Sequence, residues 1–217
     1  MFLLSLLHFL WRYFVTFGAP APADAGYSGV AVNFGLFTVF AMHHSLLART
    51  RAKAWINGIF ASEVERTVYV WVASLLFVGV AALWQPVPGT IWNLSGTAAV
   101  MAWAGQIAGV VFTAWSARSL GILELAGIRP PAQSAAPVEL RTDGPYGLVR
   151  HPIYFAWLLL VWSVPLMNGT RLSFAIISTL YLAVAVPFEE RSLVALFGPS
   201  YTRYQKKVRW RMLPLVY

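Results

Sequence analysis

The chain has 217 residues, of which 59% are hydrophobic and 11% charged, with a formal net charge of +8 and a mean hydropathy of +0.64. Soluble domains have an apolar share of about 45–50%, so this composition excludes an ordinary soluble protein and indicates an integral membrane protein. The chain contains no cysteine. That excludes a disulfide framework, a thiolate nucleophile and a cysteine-based metal site.

Six apolar runs are each long enough to cross a hydrocarbon core about 30 Å thick as a helix. They lie near residues 1–17, 27–47, 67–85, 97–118, 151–168 and 172–188. The sequence therefore predicts an all-α, polytopic integral membrane protein with about six transmembrane helices. We expect one membrane domain over 1–217.

The first run has an alternative interpretation as a cleaved signal peptide, because it ends in GAPAPADAG, whose small residues suit a signal peptidase. Against this, the run begins without a positively charged segment. It is also interrupted by Trp11, Arg12 and Tyr13.

Lysine and arginine are distributed unevenly among the segments between these runs. The loops 18–26 and 86–96 contain none, whereas the other loops and the C-terminal tail contain Arg49, Arg51, Lys53, Arg66, Arg118, Arg129, Arg141, Arg150, Arg191, Arg203, Lys206, Lys207, Arg209 and Arg211. Positive charge accumulates on the cytoplasmic side of membrane proteins. We therefore expect both termini to be cytoplasmic, in the inner membrane if the source is a bacterium. The basic tail predicts contact with anionic lipid headgroups, and nucleic-acid binding is not expected.

The longest segment between two runs is 119–150, and its RPPAQSAAP portion cannot form a regular helix. Loops of this length are more often lids or binding loops than passive connections. Within the fourth run, Gly105 and Gly109 form a GxxxG pattern, which favours close packing of two helices.

A histidine pair, His43 and His44, precedes Ser45 at the end of the second run. One interpretation is a metal site, and the other is a buried pair that only satisfies hydrogen bonds at a helix end. Because the chain has four histidines and no acidic cluster accompanies this pair, no metal is expected here.

The tract GPYGLVRHPIY contains polar residues directly before an apolar run. Gly144 and Pro145 predict a turn, and Pro152 suits the first turn of a helix. Arg150 and His151 would then lie at the mouth of the fifth span, where the N-terminus of the helix and the guanidinium favour an anionic group such as a carboxylate. The structural alternative is that Arg150 only reaches lipid phosphates and His151 only caps the helix.

Two adjacent carboxylates, Glu189 and Glu190, follow the sixth run. They repel each other unless something cationic is bound, which favours a cationic ligand with hydroxyl groups. Pro187 should weaken the helix before them. The apolar spacing after Glu190 predicts an interfacial amphipathic helix. After the break at Gly198 and Pro199, a second short helix is expected with Tyr201 and Tyr204 as aromatic anchors. A purely structural interfacial helix is the alternative.

Together, GPYxxxRHPxY and EExxLxxxFGxxYxxY over about residues 141–214 resemble the C-terminal signature of the isoprenylcysteine carboxyl methyltransferase family and its phospholipid methyltransferase relatives. The resemblance implies a membrane enzyme whose cofactor is S-adenosylmethionine, with the active site at the cytoplasmic face and a lipophilic acceptor that enters through the bilayer. It implies catalytic roles for Arg150 and Glu190. The cofactor pocket that it implies contains Tyr146, His151, Pro152, Tyr154, Glu189 and Glu190.

The N-terminal half carries a second resemblance. HHSLLARTRAKAWI, followed by ERTVYVWVASLL, is similar to the NnrU-like and methanethiol S-methyltransferase branch of the same superfamily. This favours a small thiol over a prenylcysteine-type carboxylate as the acceptor. It assigns residues 1–95 to the acceptor side and 96–217 to the cofactor-binding part. The candidates for acceptor binding are His43, His44, Arg49 and Arg191.

Two other classes of protein remain open at this point. Membrane reductases of the sterol or isoprenoid type have a similar C-terminal architecture and use NADPH. A non-enzymatic membrane protein would bind neither cofactor. The absence of a GxGxxG or P-loop pattern excludes a soluble-type nucleotide fold.

Overall fold

A computed structural model describes residues 1–47, 62–120 and 139–217. These residues form seven α-helices: α1 (Phe2–Trp11), α2 (Ser28–Leu47), α3 (Ser62–Leu83), α4 (Gly96–Leu120), α5 (Pro152–Trp162), α6 (Gly169–Phe197) and α7 (Pro199–Lys207). A π-helix, Arg12–Thr16, continues α1, and a 3-10 turn, Gly144–Gly147, precedes α5. Two short strands, β1 (Thr90–Asn93) and β2 (Leu166–Asn168), pair antiparallel.

Two of these helices are long and apolar enough to cross a membrane, namely Gly96–Arg118 within α4 and Gly169–Phe197, which is α6. Three further apolar segments are shorter: Phe2–Thr16, Thr67–Leu83 and Pro152–Trp162. The prediction of a mostly helical, apolar chain is confirmed. The number of six crossings stays a prediction.

The described chain divides into two compact units. The first contains residues 1–93 and 166–178, apart from the residues outside the described ranges, and its core consists mainly of aromatic side chains. Within it, the Phe174 ring centroid lies 5.0 Å from that of Trp84 and 5.1 Å from that of Phe9. Other buried aromatic residues of this core are Tyr13, Phe17, Phe37 and Phe77.

Arg171 organises the polar interior of the first unit. Its guanidinium donates hydrogen bonds to the carbonyl oxygens of Tyr13, Phe14 and Leu166 at 2.7–3.2 Å. The last four carbonyls of a helix lack partners within that helix, so Arg171 satisfies two of the carbonyls that the π-helix leaves open. Asn168 caps the start of α6 by accepting a hydrogen bond from the Arg171 backbone N–H at 3.0 Å.

The second unit contains residues 94–120, 139–165 and 179–217 of the described chain. Here α4 and α5 pack so closely that the glycines of α4 leave no space for a side chain. A Cβ atom at Gly109 would lie 2.8 Å from the carbonyl oxygen of Ala156, and one at Gly105 would lie 2.6 Å from the hydroxyl of Ser163. The GxxxG prediction of close helix packing is therefore confirmed. Leu158, Leu182, Val186 and Met212 form an apolar core in this unit.

The structure corrects three local expectations. The fifth apolar run is only partly helical, since α5 ends at Trp162 and residues 166–168 form β2, so the chain is not purely α-helical. The helix is not interrupted at Pro187, which was expected to weaken it, because α6 continues through Pro187 to Phe197. A proline is tolerated inside a membrane helix when its neighbours compensate for the lost hydrogen bond, and Val186 beside it is fully buried. Thus no separate interfacial helix begins at Glu190.

Candidate active site

The chain enters the site in a non-helical conformation, which follows from the sequence. A residue before proline is disfavoured in the helical region, and His151, before Pro152, has φ −121° and ψ 70°, outside the helical range. The backbone N–H groups of Arg150 and His151 therefore point outside any helix. They donate to the carbonyl oxygens of Trp210 and Arg211 at 2.9 and 2.8 Å, so the C-terminal segment lies directly beside the motif.

Arg150 is buried and makes its contacts within the protein. Its Nε donates to Oε1 of Glu190 at 2.5 Å, and both side chains are 6% exposed. Its Nη1 donates to the carbonyl oxygens of Val208 and Arg209 at 2.7 and 2.8 Å. Since these donors already have partners, Arg150 does not present the open anion-binding corner that the sequence predicts, nor does it reach lipid phosphates.

Glu190 is surrounded by donors on both of its oxygen atoms. Besides Arg150, the Nε of Arg211 lies 3.3 Å from Oε2. The Nε2 of His151 lies 3.5 Å from Oε1 but makes no hydrogen bond in the described part of the chain. The amide of Gln205 donates to Oε2 at 3.3 Å. The expectation that the paired carboxylates need a bound cation is therefore wrong for Glu190, because the protein supplies its own cations.

Glu189 lies next to this buried cluster but is much more accessible, with 43% of its side chain exposed. The hydroxyl of Tyr154 donates to its Oε2 at 2.8 Å, and the Nδ1 of His151 lies 3.5 Å from the same oxygen. The rings of His151 and Tyr154 stack with centroids 5.3 Å apart and an interplanar angle of 6°. We call Glu189, His151 and Tyr154 the carboxylate–aromatic corner.

A group of tyrosines lies behind the cluster. Tyr201 and Tyr204 are buried with Val208, and Tyr146 packs against them while its carbonyl oxygen accepts a hydrogen bond from the Tyr204 hydroxyl at 2.7 Å. The expectation that Tyr201 and Tyr204 anchor a helix in lipid is therefore wrong, since they are 2% and 5% exposed. Burial and the nearby Glu189 carboxylate raise the pKa of Tyr146 to about 12, so its phenol is neutral at physiological pH.

The structure thus brings together most of the predicted site residues. His151 precedes α5 without a side-chain capping bond, which argues against a role limited to capping. Pro152 is buried as the first residue of α5. Arg191 is exposed, its guanidinium carbon 5.5 Å from the ring centroid of Phe188.

The acceptor-side candidates on α2 belong to the first unit. The ring of His43 stacks on Tyr69 with centroids 5.6 Å apart, and the Tyr69 hydroxyl lies 2.9 Å from Nδ1 of His44. Arg49 lies outside the described residues. The expected lid within 119–150 is described only at its two ends, residues 119–120 and 139–150. Among the residues that are described, no group of three or more histidine, aspartate or glutamate side chains suits a metal ion.

Sequence reasoning missed two participants, Arg211 and Gln205, and both contact Glu190. Arg211 also donates to the hydroxyl of Tyr217 at 2.9 Å. In the sequence, Arg211 belongs to a basic tail that was assigned to lipid headgroups. The one sequence feature that points to Arg211 is its position within residues 141–214, the tract that resembles the family signature. Its pairing with Glu190 depends on how the C-terminal tail folds back, which the sequence pattern does not show.

Comparison with known proteins identifies the family to which the chain belongs. Residues 97–200 match the phospholipid methyltransferase family. The methanethiol S-methyltransferase of Crocosphaera subtropica is 32% identical over 187 residues, which cover 83% of this chain and 73% of that protein. Methanethiol S-methyltransferase 2 of Bradyrhizobium diazoefficiens is 32% identical over 217 residues, covering 94% of this chain and 82% of the relative.

A differently named relative, Nurim of Xenopus laevis, is 30% identical over 173 residues, covering 71% of this chain and 59% of Nurim. No solved structure matches the chain significantly. A helical, apolar chain with these relatives is a membrane methyltransferase. It belongs to the phospholipid methyltransferase family, whose members the sequence motifs resemble.

Proposed function

We propose that this enzyme uses S-adenosylmethionine to methylate a small thiol. The observation that carries the proposal is the carboxylate–aromatic corner, where an accessible carboxylate lies beside two stacked rings. The relatives named methanethiol S-methyltransferase favour a thiol acceptor over a carboxylate or a phospholipid amine.

The residues of this corner suit the donor chemically. S-adenosylmethionine carries hydroxyl and ammonium groups, from which the Glu189 carboxylate would accept hydrogen bonds. It also carries a sulfonium cation, which is attracted to the face of an aromatic ring such as that of Tyr154. Tyr146 and His151 complete the proposed cofactor-binding set. When bound, the cofactor supplies an electrophilic methyl group that a sulfur nucleophile displaces in line.

Arg150 and Glu190 are proposed to support the site by holding its other members in place. Glu190 contacts His151 and Arg211, and Arg150 holds the carbonyls of residues 208 and 209. Methyl transfer depends on alignment and exclusion of water more than on acid–base chemistry. A rigid, charge-balanced support for His151 and Tyr154 provides such alignment.

Acceptor recognition is proposed for the N-terminal part, residues 1–95, through His43, His44 and Arg49, with Arg191 as a further candidate. The hydrogen-bonded pair of His44 and Tyr69 supports a polar role at this end of α2. The His44→Ala variant should raise the KM for the thiol about tenfold, as expected for loss of one polar contact, while its affinity for S-adenosylhomocysteine stays unchanged. An unchanged KM would remove His44 from the acceptor side.

We also propose six membrane crossings with both termini and the site at the cytoplasmic face. The uneven distribution of lysine and arginine supports this orientation. Because the chain has no cysteine, single cysteines placed at Ala21 and Thr202 provide a test by labelling with an impermeant thiol reagent. We expect labelling of intact cells at position 21 only, and labelling at position 202 would contradict the orientation.

The acceptor is tested with purified protein in nanodiscs, methyl-labelled cofactor and three acceptors: methanethiol, a prenylcysteine and phosphatidylethanolamine. We expect label in the thioether product of methanethiol and none in the other two. Transfer to another acceptor alone would refute the thiol proposal.

A further inference from the structure

Helix α7 has two chemically different faces. Tyr201 and Tyr204 are buried in the protein, whereas Thr202, Arg203, Lys206 and Lys207 are exposed. Arg209 follows the helix and is exposed as well. We call Arg203, Lys206, Lys207 and Arg209 the basic face.

The charge of the basic face is not neutralised within the part of the chain that the structure describes. Arg203 donates to the hydroxyl of Ser200 at 3.2 Å, which leaves its positive charge uncompensated. The four salt bridges identified among the described residues involve none of the four basic-face residues. Residues 191–217 contain no aspartate or glutamate, so a partner of this face must bring negative charge from outside the segment.

The position of α7 along the chain indicates what that partner is. Helix α6 has 29 residues and is therefore about 44 Å long, whereas the hydrocarbon core is about 30 Å thick. Its last turns carry exposed apolar residues, with Leu196 65% and Phe188 45% exposed. Gly198, with φ 54°, then turns the chain into α7. The basic face thus follows directly after a surface suited to acyl chains.

The inner side of the same segment is connected to the candidate site. Gln205 on α7 donates to Glu190, and Arg150 binds the carbonyls of Val208 and Arg209. A contact that fixes the outer face of α7 therefore also restrains residues 205–211 beside Glu190. Anionic headgroups attract each surface lysine or arginine, and they lie where α6 leaves the hydrocarbon.

We propose that the basic face binds anionic phospholipid headgroups, and that this contact stabilises segment 205–211 against the candidate site. As a result, methyl transfer is faster in an anionic bilayer than in a zwitterionic one. The binding part stands by itself. The effect on rate rests on the proposed methyltransferase function.

Binding is tested in the absence of turnover. Because the chain has no cysteine, Thr202→Cys offers a unique site on the outer side of α7 for an environment-sensitive fluorophore. The labelled protein is placed in nanodiscs of phosphatidylcholine with increasing fractions of phosphatidylglycerol. We expect a saturable shift in emission that high salt reverses, because exposed charges are screened.

Two triple variants separate charge from helix structure. Arg203→Gln, Lys206→Gln and Lys207→Gln together should weaken the response to phosphatidylglycerol about tenfold or more. The charge-conserving variant Arg203→Lys, Lys206→Arg and Lys207→Arg should respond as the parent does. An equal response of the neutral variant, or a shift that does not depend on phosphatidylglycerol, would overturn the binding proposal.

Methyl transfer is then measured in the same nanodiscs. We expect several-fold faster transfer with phosphatidylglycerol for the parent and the charge-conserving variant, and a loss of this stimulation in the neutral variant. A normal emission shift without any stimulation would refute the coupling to the site. A normal shift in a protein that transfers no methyl group would refute the proposed function and leave lipid binding intact.

Discussion

Among the residues that the structure describes, each unit buries one arginine, and the two arginines are satisfied in different ways. Arg171, 5% exposed, donates only to backbone carbonyls of the first unit. Arg150, which is also buried, donates to backbone carbonyls as well but in addition forms an ion pair with Glu190. Backbone carbonyls are thus sufficient to retain a buried guanidinium in this chain.

The second unit therefore contains more charged groups than the burial of one arginine requires. Glu190 is also contacted by Arg211 and His151, and the adjacent Glu189 remains 43% exposed. Buried charges are costly, and ionisable groups near membrane segments mark function more often than stability. We therefore propose a structural role for Arg171 and a role in the site for the cluster around Glu190.

The largest effect is expected from breaking the Arg150–Glu190 pair. Arg150→Gln leaves a carboxylate buried without its main counter-charge, which costs about 3–5 kcal/mol, and methyl transfer should be lost. The double variant Arg150→Gln with Glu190→Gln should recover part of the thermal stability in detergent but not the activity. If the single variant unfolds at the parent's temperature, the pair does not hold this unit together.

A smaller effect on activity is expected at Arg171. Arg171→Met leaves the carbonyls of Tyr13, Phe14 and Leu166 without their donor, at about 1–3 kcal/mol for each buried group. The yield of folded protein should fall, whereas the protein that does fold should bind S-adenosylhomocysteine with parental affinity. A folded Arg171→Met protein with a tenfold weaker affinity would contradict the purely structural role.

The smallest effect is a decrease in stability at alkaline pH. Burial raises the pKa of Tyr201 and Tyr204, and burial with Glu189 raises that of Tyr146 to about 12. In the unfolded chain these phenols ionise near pH 10. Their stabilising contribution is therefore complete below pH 10 and decreases as the pH rises toward 12. Thermal unfolding at pH 8, 9.5 and 11 should show this decrease, and Tyr146→Phe should reduce it. A decrease that is unchanged in Tyr146→Phe would contradict the assignment.

The sequence predicts the parts of the site that depend on local rules. Pro152 determines where α5 begins and keeps His151 out of the helical conformation, so the placement of Arg150 and His151 at a helix mouth follows from the motif alone. The adjacency of Glu189 and Glu190 likewise identifies a charged end of α6. What the pattern does not reveal is their difference in burial, because it depends on which side of α6 the C-terminal segment covers.

Long-range pairing explains the remaining errors. Arg211 and Gln205 meet Glu190 only after the chain has turned at Gly198 and folded back along residues 150–151. The periodicity of Tyr201 and Tyr204 correctly predicts a helix face, but it does not distinguish a face turned to lipid from one turned to protein. Pro187 is a further case of this kind. A proline is unfavourable inside a helix, but the packing around it allows α6 to continue.

The central claim is that Glu189, the accessible carboxylate, contacts the methyl donor, whereas the buried Glu190 supports it. Calorimetric titration of S-adenosylhomocysteine into the parent, Glu189→Gln and Asp143→Asn tests this directly. Asp143→Asn is the matched control, because it removes an exposed carboxylate of the same unit. We expect an affinity about tenfold or more weaker for Glu189→Gln, as for loss of a hydrogen bond to a charged group, with unchanged thermal stability and a parental affinity for the control. Equal affinities of the parent and Glu189→Gln would contradict the account.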